Sequence, residues 1–446
     1  MKKTEILHIA PHLGGGVGRV VLNYLAKAKK DSFFLHKIVC LDYANEHALD
    51  VAKNIGLVLT DRMAGRSQQL SAMIAEADIV LIHWWNHPLL YDFLVRTKLP
   101  PCRMVMWSHI SGFHPPSVFT EKILRYPDLF VFTTPVSYEA KDVQKLPAEI
   151  RNKLRVVWAT GGVEHVENVR PIEHKGFNVG YIGTVDYCKM HPDFMEMCSR
   201  IDIPEVKFIV CGGPKEKEIQ EETERLGIAR KFTFTGLVGD ITKHLSAFDV
   251  FGYPLAPYHY GTCDQVLAES MACGVVPVVF SNRMETQMVK DGLTGLVVNN
   301  KEEYVNAIKQ LYLDKELRAR LSANAKEYAR KAFSLEVMKN DWAKVFEELL
   351  MLPKTSKKWE ILRPDAGISA SDVFLESLGE YDHDFASYRN AVNVQERETS
   401  AKRIKELAKS PVWQAHTRGT AHHYHEFFSD DECLAAWSVL MREDRT

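Results

Sequence analysis

Two successive series of short apolar segments, each alternating with amphipathic stretches, constrain the fold of this chain more than any other feature. In the first series, residues 6–10, 37–41, 79–83, 104–107 and 129–133 read as buried strands. Residues 17–29 carry Val20, Val21, Tyr24, Leu25 and Ala28 at the spacing of a helix with one core face. A polar stretch at 164–175 interrupts the pattern. A second series then follows, with strands expected at 179–182, 207–211, 232–234, 250–253 and 276–280 and helices at 216–226 and 265–272. Strands alternating with helices give a parallel sheet covered on both faces, and ligands of such sheets sit near the carboxyl ends of the strands. The chain is therefore expected to hold two Rossmann-like α/β domains facing across a cleft. A further amphipathic helix spans 340–350. After Pro353 the strand signal fades, and 353–446 reads as a mainly helical extension with no assignable role.

The 446 residues, 46% hydrophobic and 26% charged, suffice for two cores and more. A formal net charge of −2 argues against a nucleic-acid partner. Lysine and arginine exceed acidic residues through Arg170, which is compatible with contact to an anionic lipid surface and equally with none. No run of about 18 apolar residues occurs, and no signal peptide is recognisable at the start. The eight cysteines form no C-x-x-C pair and read as reduced thiols. A cytoplasmic location is expected, compatible with the inner face of a membrane.

Several loops carry chemistry. The segment His12-Leu13-Gly14-Gly15-Gly16-Val17-Gly18 joins a strand to a helix. Its glycines allow a close backbone approach, and the helix start offers N–H groups to an anion. It reads either as a ligand loop or as a tight turn, and it lacks dinucleotide-fingerprint spacing. Gly183, Thr184 and, farther on, Lys189 follow a strand. Lys189 is either a cation for a diphosphate or a solvated surface lysine. Gly212-Gly213-Pro214 ends another strand and reads as a nucleoside platform or a plain loop. Gly261-Thr262-Cys263-Asp264 opens a helix whose amides suit a phosphate, and Glu269 lies one turn on. Its carboxylate can take both hydroxyls of a ribose, or serve only as a helix-start charge.

From residue 178 to 350 the chain resembles the retaining GT-B glycosyltransferases of family 4. Five segments carry the resemblance in order: 183–189, 208–214, 234–236 with 247–250, 267–279 and 291–297. In the first half, the Gly15 and Gly16 loop, His109 and Gly161-Gly162-Val163-Glu164 match more loosely. The resemblance implies transfer of a sugar from a nucleoside-diphosphate donor to a hydroxyl, with retention and without a metal or other cofactor. The acceptor would be a glycan or lipid-linked, and the setting polysaccharide or glycoconjugate synthesis. It implies catalytic roles for His109 and Lys189. Donor contacts would come from Gly15, Gly16, Gly183, Thr184, Lys189, Gly212, Gly213, Thr262, Cys263, Asp264 and Glu269. It also implies domains at 1–170 and 171–338, with 339–352 packing back on the first.

Three positions depart from the family pattern. Gly261 stands where a first glutamate belongs, Thr184 where an arginine is common, and Gln287 where a glutamate is expected, with Glu285 two positions upstream. Asp264 is a candidate replacement for the lost carboxylate. These departures keep open a second reading, a non-catalytic GT-B scaffold that binds a nucleotide or a protein. The histidines His416, His422, His423 and His425 suggest either a metal site or an aromatic packing surface. Trp84 and Trp85, flanked by His83 and His87, suggest either a sugar platform or core packing.

Overall fold

The computed structural model describes residues 3–30, 33–360, 367–410 and 412–442. It divides into two compact units, Met1–Trp158 with Lys339–Thr446, and Ala159–Met338. The division thus falls at Trp158, twelve residues before the sequence boundary at Arg170, because the segment after Trp158 is bonded into the second unit. Thr160 Oγ1 donates to the Phe333 carbonyl at 3.0 Å there.

The first unit is built on a seven-stranded parallel sheet. Its order is Val58–Thr60, Phe34–Cys40, Thr4–Ala10, Ile79–Trp84, Met104–Ser108, Leu129–Phe132 and Leu154–Val156. The five expected strands are all present. The two edge strands, three residues each, are too short to leave an apolar pattern. Helix Gly15–Ala28 buries the anticipated stripe and starts two residues early, inside the glycine loop.

The described residues of the C-terminal extension belong to the first unit. Strand Thr355–Lys357 pairs antiparallel with Leu99–Cys102, a short strand in a stretch where the sequence carries little strand signal. Helices Ala370–Leu378, Ala421–Phe427 and Glu432–Leu440 place Phe374, Tyr424 and Trp437 in the same core as Leu90, Tyr91 and Leu94 of helix Pro88–Arg96. Helix Leu335–Leu350 crosses the division at Met338. Within the first unit its Trp342 packs edge-on against Trp107 at 5.1 Å, and its Phe346 against Phe34 at 5.3 Å. Among the described residues no helix is long and apolar enough to cross a membrane.

The second unit holds a six-stranded parallel sheet. Its order is Phe232–Gly236, Val206–Cys211, Phe177–Ile182, Val250–Tyr253, Val276–Phe280 and Leu296–Val298. Helix Gln265–Cys273 is buried from Leu267 onward and ends at Gly274, whose φ of 86° is the left-handed stop that glycine accepts readily.

Candidate functional site

In the second unit, the loops after the central strands bring together residues far apart in sequence. The loop that follows Phe177–Ile182 is zipped to the one that follows Val206–Cys211. Gly183 N–H donates to the Cys211 carbonyl at 3.0 Å, and Val185 N–H to the Gly213 carbonyl at 2.8 Å. A Cβ on Gly212 would lie 1.8 Å from the Gly183 carbonyl oxygen. Gly212 is therefore demanded by the neighbouring backbone, whatever else the turn does. The zipper aims the Gly183 loop at the following helix.

Lys189 emerges from that loop, almost fully buried, with its Nζ 2.6 Å from Asp264 Oδ1. The ammonium also lies 5.6 Å from the Tyr253 ring centre and 6.0 Å from that of Tyr260. Burial, the largest single cause, would lower the lysine pKa; Asp264 together with Tyr260 and Tyr181 outweighs it and raises it. Burial would likewise raise Asp264, and Lys189, with His259, pulls it below the usual range. Lys189 is thus neither a solvated surface lysine nor a bare cation. Asp264, the N-cap of helix Gln265–Cys273, makes no side-chain cap bond, so the helix start keeps its amides uncapped by that carboxylate. Thr262 is buried beside it. Burial pushes the Cys263 thiol far above its ordinary value, so it is an inert thiol.

The three departures from the family pattern lie near the network of His259, Asp264 and Tyr260. A Cβ on Gly261 would meet His259 Nδ1 at 2.9 Å and Asp264 Oδ2 at 3.2 Å, so a side chain there would require His259 or Asp264 to shift. Thr184 Oγ1 lies 3.0 Å from the Tyr260 hydroxyl, and the Tyr181 hydroxyl donates to the Thr184 carbonyl at 2.8 Å. Glu285, two positions before Gln287, is fully buried with Oε1 3.1 Å from His259 Nε2. Gly261 N–H donates to His259 Nδ1 at 3.0 Å, so in the neutral ring the proton sits on Nε2 and faces Glu285. Burial, the largest single cause, would depress the His259 pKa; Glu285 together with Asp264 reverses it and raises it.

His259, Asp264 and Glu285 place ligand atoms within 4.8 Å of one another. Sequence spacing does not reveal this set. Lys189 already neutralises Asp264, and the Gly261 amide occupies the second nitrogen of His259, so a cation there would have to displace existing partners.

Glu269 is 1% exposed. Its Oε1 lies 2.9 Å from His165 Nε2 and accepts from Gln265 Nε2 at 3.0 Å. Gly161 leaves space for Gln265, since a Cβ there would come within 2.9 Å of the Gln265 side chain. Glu164 accepts from Leu335 N–H at 2.7 Å and so holds the start of helix Leu335–Leu350. The Gly161-Gly162-Val163-Glu164 segment thus shapes the surroundings of Glu269. His165 and Gln265 were missed in the sequence, although Gln265 stands one turn before Glu269 on the same helix.

In the first unit, the strand ends present an aromatic group. His12 stacks on Tyr43 at 5.1 Å and meets Trp85 edge-on at 5.1 Å; Trp85 lies 6.0 Å from His109. Gly15 and Gly16 are exposed, a Cβ on either would meet nothing within 4 Å, and helix Gly15–Ala28 has no side-chain cap. Trp84 is core, stacked with Phe119 at 5.7 Å. The C-terminal segment joins this group: His423 packs edge-on against His87 at 4.9 Å, and Phe427 lies 5.1 Å from His87. Burial lowers the His12 pKa to about 4 and the His423 pKa to about 3. His422 pairs with Ser438 Oγ at 2.8 Å and stacks on His416. Among the described residues, His416, His422, His423 and His425 do not converge as a metal-ligand set.

Residues 164–328, within the second unit, match the family model of glycosyl transferases group 1. A D-inositol 3-phosphate glycosyltransferase of Stackebrandtia nassauensis is 30% identical over 136 residues, 28% of this chain and 30% of that protein. A 2-deoxystreptamine N-acetyl-D-glucosaminyltransferase of Streptomyces fradiae is 33% identical over 103 residues, 22% of this chain and 24% of that protein. The matched segments span under a third of those relatives. Among solved structures, Anabaena HepE in complex with UDP-glucose aligns with a TM-score of 0.62 at 17% identity, over 77% of this chain and 99% of that one. A glycosyltransferase from Rickettsia africae aligns with a TM-score of 0.63 at 14% identity, over 79% of this chain and 100% of that one. Likeness at these identities shows the fold, which is GT-B: two Rossmann-like parallel sheets, here with a helical C-terminal region.

Proposed function

We propose that this protein transfers a sugar from a nucleoside-diphosphate donor to a hydroxyl, with retention at the anomeric carbon. The observation that carries the reading is the buried Lys189–Asp264 pair at the uncapped start of helix Gln265–Cys273. Departure of a nucleoside diphosphate builds negative charge, and a fixed ammonium beside helix amides stabilises it without reorganisation. Asp264 holds Lys189 charged in the unliganded site; a diphosphate oxygen then shares that ammonium. Gly183, Thr184, Gly212, Gly213, Thr262 and Cys263 line the donor in this reading, and Glu269 receives the ribose hydroxyls. The group 1 match supports a sugar donor, and the UDP-glucose complex of Anabaena HepE supports UDP as its carrier.

His109, with the Gly15 and Gly16 loop, meets the sugar or the incoming hydroxyl. The acceptor is a glycan or a lipid-linked sugar, the route is polysaccharide or glycoconjugate synthesis at the cytoplasmic face of a membrane, and Lys189 makes a metal unnecessary. A second reading, binding without transfer, is favoured by one observation: Glu269 and Lys189 both already have internal partners.

Thermal unfolding with UDP, GDP, ADP and their sugars tests the reading. A ligand at 100 times its Kd adds about 2.7 kcal/mol to stability. Stabilisation by UDP in the parent, lost in the Lys189→Met/Asp264→Asn double variant, is expected. No stabilisation by any nucleotide overturns it. Stabilisation without turnover of any labelled sugar donor selects the second reading.

A further inference from the structure

Four histidines cross the sheet of the first unit on neighbouring strands. His36 lies on Phe34–Cys40, His8 on Thr4–Ala10, His83 on Ile79–Trp84, and His109 directly after Met104–Ser108. His36 Nδ1 is 2.8 Å from His8 Nε2, His8 Nδ1 is 3.0 Å from His83 Nε2, and His83 Nδ1 is 3.2 Å from His109 Nε2. Each link runs in the same direction, Nδ1 of one ring to Nε2 of the next. His8 and His83 are fully buried and His109 is partly exposed. Tyr24 and Phe346 flank the His36 end, and Trp107 flanks His83 and His109.

A neutral imidazole has one N–H donor and one acceptor nitrogen, and each link needs one of each. The chain therefore has only two consistent patterns. Either every Nε2 carries the proton, or every Nδ1 does. A single ring of the opposite tautomer would set two N–H groups, or two lone pairs, face to face in a buried site. Burial, followed by the neighbouring imidazoles, holds His8 and His83 well below the ordinary histidine pKa, and burial lowers His109 to about 3. His8, His83 and His109 are thus present in the neutral forms that this argument needs.

We propose that His36, His8 and His83 are positioning residues that lock His109 into one tautomer, so that its second nitrogen, Nδ1, is held either always as acceptor or always as donor. The kinetic consequence rests on the reading of His109 as the imidazole that meets sugar or hydroxyl; the tautomer lock itself does not.

Long-range proton–nitrogen spectra of the full chain, with isotope-labelled histidine and no nucleotide, test the lock at pH 7. Expected is one tautomer shared by all four rings, with none an imidazolium. Two opposite tautomers among the four, or an imidazolium, overturns it. His8→Phe cuts the chain. His109 should then lose its single-tautomer signature, and kcat should fall by about tenfold with KM for the sugar donor unchanged. His8→Gln retains a donor and an acceptor and should restore both. An unaltered His109 spectrum in His8→Phe overturns the proposal. The parent spectrum needs no substitution, so the test survives a variant that fails to fold. Because it is read without substrate, it stands or falls separately from the transferase reading.

Discussion

The two units share a parallel sheet with polar side chains at the strand ends, yet they bury those side chains in opposite electrical states. In the first unit burial dominates. His8, His12, His83, His87, His109 and His423 face mostly one another and aromatic rings, and burial is the largest cause depressing each pKa. In the second unit charge pairing dominates. Lys189 meets Asp264, and His259 meets Glu285; burial is again the largest single cause, but the partners and their neighbours together reverse it. One group is neutral and hydrogen-bonded, with no paired charge at its centre among the described residues. The other is a charged socket suited to an anion. Like scaffolds can thus be specialised by the sign of a few buried groups.

Acid should separate the units most strongly. His12, His109 and His423 have folded pKa values of about 4, about 3 and about 3. Below pH 6.5 the unfolded chain binds the extra protons, so each costs up to about 1.4 kcal/mol of stability per pH unit on the way down to its folded pKa. His259 acts with the opposite sign. Its raised pKa contributes stability that is full below the ordinary value and lost as pH rises through the folded one. Asp264, held low, loses its contribution only as pH falls through its depressed pKa. Amide hydrogen exchange at pH 7 and pH 5 should therefore show strand Ile79–Trp84 losing protection while Phe177–Ile182 keeps it. Equal losses would erase the contrast.

Breaking the pair in the second unit comes next. Lys189→Met alone leaves the Asp264 carboxylate buried without its cation, at a cost of about 3–5 kcal/mol. The Lys189→Met/Asp264→Asn double variant should recover most of it in urea unfolding. A single variant that loses under about 1 kcal/mol would mean that the pair is not desolvated.

A smaller effect concerns Glu269. Glu269→Gln should weaken binding of free UDP by about 1.5–3 kcal/mol, the range for a hydrogen bond to a charged group. Calorimetry showing unchanged UDP affinity but lost transfer would move Glu269 from the ribose to the sugar.

The last contrast sets a glycine that forbids a side chain against a tolerant one, and its smallest effect is at Gly16. Gly212→Ala pushes a methyl into the Gly183 carbonyl and should destabilise regardless of ligand. Gly16→Ala meets nothing and sits in a helix start, so its stability should stay within about 1 kcal/mol of the parent. Loss of turnover in Gly16→Ala at unchanged melting temperature would then identify ligand approach at that glycine.

The strands were legible because each is an apolar run, and so was the stripe of helix Gly15–Ala28. The edge strands Val58–Thr60, Leu154–Val156 and Leu296–Val298 were not, since three residues carry no period. Lys189 and the Asp264 loop were readable as separate motifs, but their pairing spans 75 positions and only the fold makes it. The histidine chain hid for a similar reason. A lone histidine in each of three apolar strands looks incidental until strand order sets them side by side. The packing of the last hundred residues was illegible because an amphipathic helix shows that it has a buried face, not which surface it covers.

That packing bears on how the protein is made. The first unit's core needs Phe374, Tyr424 and Trp437 against Leu90, Tyr91 and Leu94, and nearly three hundred residues separate Trp158 from Trp437. At roughly 5–20 residues per second, a ribosome takes on the order of tens of seconds to deliver those side chains. Throughout that interval the nascent amino-terminal sheet carries an uncovered apolar flank, while Ala159–Met338 has its whole sequence available far sooner. The second unit is thus positioned to fold first, and the first to wait as a client for chaperones until the carboxyl-terminal helices emerge.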